Sequence, residues 1–203
     1  MDFNLTESTF DVLYIMHTIK ERFSELNSFE ISSLAYLALL LSVYDGLQTS
    51  VWGYKFAYNK YGGPTSSEIL EGIEFLDDNK FINRVDSTSQ YYALNKKGEF
   101  VVTKLTNLKR FEWRVKYLST SIDSTLGKPF PRVINAIQNE PGLRYGKKTK
   151  HKLQLHNNPE KLYNYFELLR NVTDGDKEEL WVPARIWIDY LISLTESDGG
   201  EKI

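Results

Sequence analysis

Two stretches of this sequence interleave cations with aromatic rings, the side-chain types that meet phosphates and stack on bases. The first is Lys109-Arg110-Phe111-Glu112-Trp113-Arg114-Val115-Lys116-Tyr117, and the second runs from Arg144-Tyr145 through Lys147, Lys148, Lys150 and Lys152. Lys109, Arg110, Arg114, Lys116, Arg144, Lys147, Lys148, Lys150 and Lys152 are therefore the candidate contacts to a nucleic-acid backbone. The same charges have other uses open to them: solvating a helix and a loop, pairing with acidic parts of the chain, or meeting an acidic protein.

Other chemistry is poorly provided for. His17, His151 and His156 are the three histidines, and the last two lie five apart with Glu160 as the nearest carboxylate, a poor metal arrangement. Glu178-Glu179 and Asp174-Asp176 imitate carboxylate pairs but read as a solvated turn before a helix. The chain has no cysteine, no H-E-x-x-H pattern, no phosphate loop and no Ser-His-Asp set. The expectation is a non-enzymatic protein without metal or cofactor.

The elements that would position these residues begin with the stretch 52–94. Thr65-Ser66-Ser67-Glu68 has the spacing of a capping box, so Thr65 is expected to start a helix. Ile69, Leu70, Ile73 and Leu76 form its apolar stripe, with Glu71, Glu74 and Asp78 opposite. Those three carboxylates are the candidate protein-binding face. Phe81–Val85 and Gln90–Leu94 then read as two strands of a hairpin around Asp86-Ser87-Thr88-Ser89. A helix followed by a hairpin is the second half of a winged helix-turn-helix.

Around that unit the periodicity gives mostly helices. Thr6 or Ser8 is expected to cap a first helix ending near Asn27, with Leu13, Met16, Ile19, Phe23 and Leu26 inward. A second starts at 28–30, is apolar on nearly every face, and closes at Asp45-Gly46. The aromatic stretch 47–63 fits either a short strand or a distorted helix. Asn95 caps a helix behind the hairpin. Leu108, Phe111, Val115, Leu118 and Ile122 then make a seam, with Lys109, Arg110, Arg114 and Lys116 placed off it.

Gly127-Lys128-Pro129-Phe130-Pro131 marks a subdomain boundary, Val133–Gln138 a short helix stopped by Pro141-Gly142, and Asn158-Pro159 the start of another, with Leu162, Tyr165, Phe166 and Leu169 inward. A last helix is expected from Pro183, burying Ile186, Trp187, Tyr190, Leu191 and Leu194. The expected organisation is an N-terminal helix in 1–29, a winged helix in 30–106, a helical continuation in 107–196 and a disordered tail in 197–203.

With 41% hydrophobic and 14% aromatic residues in 203, the chain has ample material for a core. No stretch at its start has the pattern of a signal peptide, so none is expected, and its longest apolar run, 34–41, is far too short for a bilayer. These features and the missing cysteines point to the cytoplasm and away from a membrane partner. The net charge of −2 conceals a partition. Residues 1–95 hold 6 Lys+Arg against 13 Asp+Glu, residues 96–152 hold 14 against 4, and residues 153–203 hold 5 against 10. Such asymmetry points to a polyanion, to another copy in a homodimer, or to another protein.

Between Leu34 and Gly98 the sequence runs through an apolar central helix, Phe56-Ala57-Tyr58, Tyr61-Gly62-Gly63-Pro64, Ser66-Ser67-Glu68-Ile69-Leu70, Leu76 to Ile82, and Tyr92-Ala93-Leu94-Asn95-Lys96-Lys97-Gly98. This third of the chain resembles winged-helix proteins of the YwgA type and, more distantly, the Panacea antitoxin domain. Gly63 is an extra residue in the family's Tyr-Gly-Pro phrase, and Asn79-Lys80-Phe81 stands where the family has a glycine turn. The resemblance implies a prokaryotic, non-enzymatic protein from defence or toxin neighbourhoods, with no catalytic residues.

The resulting expectation is mainly α with a small β-hairpin wing, a winged helix-turn-helix followed by a helical C-terminal region. Its role is that of an accessory subunit, plausible in antiviral defence, which binds another protein of the same system and the backbone of DNA or RNA. A transcription regulator and an antitoxin acting by direct contact are the alternatives.

Overall fold

The computed structural model describes residues 3–58, 63–86, 90–143 and 180–199, together with positions 164, 167, 168 and 171. The segment α1 (Phe3–Ile19) leads to a short strand β1 (Leu26–Asn27) and then α2 (Ser28–Tyr44). A single 3-10 turn, Thr49–Trp52, precedes β2 (Ala57–Tyr58) and β3 (Pro64–Thr65). Then come α3 (Ser67–Asp78), β4 (Ile82–Arg84), β5 (Tyr91–Leu94), α4 (Lys96–Leu105), α5 (Lys109–Asp123), α6 (Phe130–Ile137) and α7 (Trp181–Gly199). The fold is mainly helical with small antiparallel sheets. No helix among the described residues is long and apolar enough to cross a membrane.

The hydrophobic core forms around α2. Its residues 31–43 are all buried, as a helix without a polar face requires. Asn27 fixes where it starts: its Oδ1 accepts from the Glu30 amide at 2.9 Å, while the Glu30 carboxylate accepts from the Asn27 amide at 2.9 Å. Helices α1, α3, α5, α6 and α7 contribute to the same core. At the far end of α6, Glu140 is fully buried and accepts from the Tyr36 hydroxyl of α2 at 2.8 Å and the Leu143 amide at 2.9 Å. Residues 141–143 are helical, so Pro141 opens a turn of helix after stopping the previous one.

In the three-stranded sheet the order is β1-β5-β4. Leu26 faces Tyr92 and Asn27 faces Tyr91, while Ile82, Asn83 and Arg84 face Leu94, Ala93 and Tyr92. The hairpin therefore forms where expected, and β1 is an additional strand. A second, two-stranded sheet pairs Ala57 with Thr65 and Tyr58 with Pro64. The aromatic stretch thus holds both a 3-10 turn at Thr49–Trp52 and a strand at Ala57–Tyr58, with Trp52, Tyr54 and Phe56 buried in the core.

Two tight contacts set the helices that matter for function. Gly72 of α3 lies against α1, where a Cβ would sit 3.2 Å from the Thr9 amide nitrogen, so the two helices approach closely. Gly98 of α4 lies against the start of β4, where a Cβ would meet the Phe81 carbonyl oxygen at 2.3 Å. Asn95 caps α4 by accepting from the Gly98 amide at 3.0 Å, and its amide group donates to the Lys80 carbonyl at 3.0 Å.

Several expectations are corrected. The first helix begins at Phe3 and stops at Ile19, because Leu26 joins a strand that pairs with β5. Thr65 is a strand residue, and Ser66 is the N-cap of α3 without capping through its side chain. Glu68 accepts from the Ser66 and Ser67 hydroxyls at 2.8 and 2.9 Å, so the reciprocal box does not form. Leu70 and Leu108 are exposed. On α7, which begins at Trp181, Ile186 and Tyr190 are exposed while Ala184, Trp187, Ile188 and Leu191 are buried. That helix runs to Gly199, into the stretch 197–203 assigned to the tail. Of the helix assigned from Asn158-Pro159, positions 164, 167, 168 and 171 are described and helical, while Leu162, Tyr165, Phe166 and Leu169 lie outside the described residues.

Candidate interaction surfaces

Helix α3 presents its outer side as Leu70, Glu71, Glu74 and Asp78, all exposed. Its inner side, Ile69, Gly72, Ile73 and Leu76, is buried. The alternation follows the helical repeat, which is why one helix carries both a core face and an acidic face. Asp77, at the edge, pairs with Arg84 of the hairpin at 3.2 Å. Glu71, Glu74 and Asp78 make no ion pair among the described residues.

The basic segment of α5 is arranged quite differently. Arg114, placed off the seam by its periodicity, is 0% exposed and belongs to the buried side of α5. Its Nε donates to Asp11 Oδ1 at 2.8 Å, Nη1 donates to the Trp52 carbonyl at 2.7 Å, and Nη2 pairs with Asp11 Oδ2. Glu7 Oε2 lies 3.4 Å from Nε, and the guanidinium stands 4.2 Å from the centroid of the Trp52 ring. Tyr54 donates its hydroxyl to Asp11 Oδ2.

Burial alone would pull the Arg114 pKa down, but Asp11 and its hydrogen bonds outweigh that and raise it, so the arginine stays charged in the core. Burial, then the Asp11 charge, push the Tyr54 hydroxyl well above its ordinary range. Arg114 is thus corrected from a backbone contact to a core residue: no phosphate can reach it.

Two further cations of α5 are occupied by carboxylates of the same chain. Arg110 Nη2 meets Glu7 Oε1 at 2.8 Å, and Lys116 Nζ meets Asp45 Oδ2 at 2.6 Å. Tyr117 donates to the same Asp45 oxygen at 2.7 Å, and burial, then that bond, raise its pKa. Among these candidates, only Lys109 is exposed without an ion pair among the described residues. Arg144, Lys147, Lys148, Lys150 and Lys152 lie outside the described residues, as do His151, His156, Asp174, Asp176, Glu178 and Glu179.

The buried carboxylates Glu7 and Asp11 were not singled out by sequence reasoning. A signal was present: Glu7 and Asp11 are four apart, as are Arg110 and Arg114, so each pair occupies one helix face. Among the described residues no group of three or more histidine and carboxylate side chains could hold a metal ion. No family model matches the chain, and no curated protein or solved structure matches it either.

Proposed function

We propose that the chain is a winged-helix protein working as a non-enzymatic accessory subunit of a prokaryotic intracellular complex, plausible in antiviral defence. It holds a protein partner on the acidic face of α3 and touches nucleic-acid backbone through exposed cations that follow the hairpin. The element order supports the winged-helix reading: helix, strand, helix, then, after the inserted 3-10 turn and β2–β3 pair, helix and hairpin, with the first strand paired to the second strand of the hairpin.

The observation that carries the functional part is the surface of α3. In that architecture the helix before the hairpin is the one inserted into the major groove. Here residues 65–78 contain no Lys or Arg, and Glu71, Glu74 and Asp78 face solvent around Leu70. Phosphates supply most of the affinity in duplex binding and would repel this face. A basic protein surface with an apolar recess for Leu70 complements it.

The test is tandem affinity purification from the source cells with wild type and with Glu71→Lys combined with Glu74→Lys. The expected result is a stoichiometric partner retained by wild type and lost from the variant, with both equally folded. Partner recovery unaffected by the charge reversal would sink the assignment of α3.

A further inference from the structure

Helix α4 has an outer face that neither the core nor the ion pairs use. Lys96, Phe100 and Lys104 stand four residues apart, so they share one side of the helix and span about 12 Å along its axis. All three are exposed, and Phe100 at 65% is the most exposed large apolar side chain among the described residues. The Lys104 ammonium lies 5.4 Å from the Phe100 ring centroid. The opposite side of α4 is anchored by Gly98 and Val102, both buried, so the face is held rigidly outward.

The charge around this face is one-sided. Glu99 is engaged by Lys20 of the α1–β1 connection at 3.1 Å. Lys97 donates to the Asn79 carbonyl at 2.8 Å and stands over the Phe81 ring, adding positive charge at the start of α4. At the other end, Asn107, Leu108 and Lys109 are exposed where the chain passes into α5. An aromatic ring between ammonium groups suits an unpaired base: the base stacks on the ring while its flanking phosphates meet the cations. A duplex keeps its base faces stacked inside and offers the ring nothing.

We propose that the Lys96–Phe100–Lys104 face of α4 binds single-stranded nucleic acid by stacking a base on Phe100. This deepens the nucleic-acid part of the proposed function and is independent of the partner-binding face of α3. An acidic protein would satisfy the lysines but gain no stacking from the ring, so Phe100 distinguishes the two.

The experiment uses the full chain and fluorescence anisotropy with labelled oligothymidylate of about 20 nucleotides, and with its duplex, at roughly 50 to 200 mM salt. Phe100→Ala weakens single-strand binding roughly 5- to 100-fold without changing the salt slope, and Phe100→Trp restores it. Lys96→Ala with Lys104→Ala lowers the log–log salt slope by about 1.4, at about 0.7 per lost contact on a single strand. All three positions are exposed, so the variants melt like wild type, which circular dichroism checks. Single-strand binding insensitive to Phe100→Ala overturns the proposal, as does binding that prefers the duplex. Labelled poly-L-glutamate bound equally well, with equal sensitivity to Phe100→Ala, assigns the face to an acidic protein and overturns it too. Charge reversal on α3 leaves these titrations unchanged, so either surface can fail without the other.

Discussion

Arg114 offers the sharpest test of how the helices are joined. Arg114→Met keeps the volume and removes the charge, leaving Asp11 with a carboxylate that is 0% exposed and, among the described residues, served only by the Tyr54 hydroxyl. Removing one partner of a buried pair costs about 3 to 5 kcal/mol, because the other charge stays desolvated. Asp11→Leu does the reverse, stranding the guanidinium between the Trp52 carbonyl and Glu7. The double variant removes both charges and leaves Arg110 to Glu7. Its remaining losses are the Trp52 carbonyl and the buried Tyr54 hydroxyl, each left without its partner at about 1 to 3 kcal/mol.

The two single changes are therefore expected to cost about 3 to 5 kcal/mol each and the pair together about 2 to 6, less than their sum, a non-additive cycle. A domain of ordinary stability, about 5 to 15 kcal/mol, survives any of these. Urea unfolding followed by circular dichroism at neutral pH measures it. With a slope of about 2 kcal/mol per molar urea, each single variant moves the midpoint down by about 1.5 to 2.5 M. Singles costing under about 1 kcal/mol, or a double variant equal to their sum, would refute the claim that Arg114 and Asp11 compensate one another in the core.

Lys80 adopts a left-handed backbone with φ of 58°, so Lys80→Gly should raise stability by about 0.5 to 1 kcal/mol in the same assay. Gly98→Ala should cost about 2 kcal/mol or more, because the new methyl meets the Phe81 carbonyl; unchanged unfolding would mean α4 is free to shift. His17 has a pKa lowered by burial and then by Lys20, so the unfolded chain binds more protons and stability falls as pH drops below about 6.5. In thermal melts from neutral to mildly acidic pH, His17→Gln should flatten that slope. Glu140 runs the other way: burial raises its pKa, so its contribution is complete at acid pH and is lost as pH rises above the ordinary carboxylate range. Glu140→Gln should accordingly be more stable than wild type at pH 8, and a less stable variant there would contradict the assignment.

The sequence made the hairpin, α2 and α4 readable because their signals are local. Asn27 with Glu30 and Asn95 with Gly98 are caps within one turn, and 82–84 and 91–94 alternate around a polar turn. What was hidden depends on partners distant in sequence. Helical periodicity sees Arg114 as a charge beside a seam, whereas Asp11, 103 residues earlier, makes its position buried. The turn after α3 puts Lys80 in the left-handed conformation that favours glycine, a strain that residue type alone does not announce. On α3 the acidic face was legible, since Glu71, Glu74 and Asp78 follow one helical stripe, but Leu70 joins them where an inward position was expected. The exposed stripe of α4 was also written at four-residue spacing, inside the basic region 96–152 but ahead of the two segments where cations and rings crowd together.

The ion pairs between α1 and α5 also bear on how the chain is made. Glu7 and Asp11 leave the ribosome 103 residues ahead of Arg110 and Arg114. At about 5 to 20 residues per second, the two carboxylates wait about 5 to 20 s for their counter-charges. Until α5 arrives, burying that side of α1 means burying uncompensated acid. Burial of that side of α1 is thereby expected to wait for α5, and a fragment ending at residue 106 would lack Arg110 and Arg114 permanently, so that Glu7 and Asp11 favour water over the core.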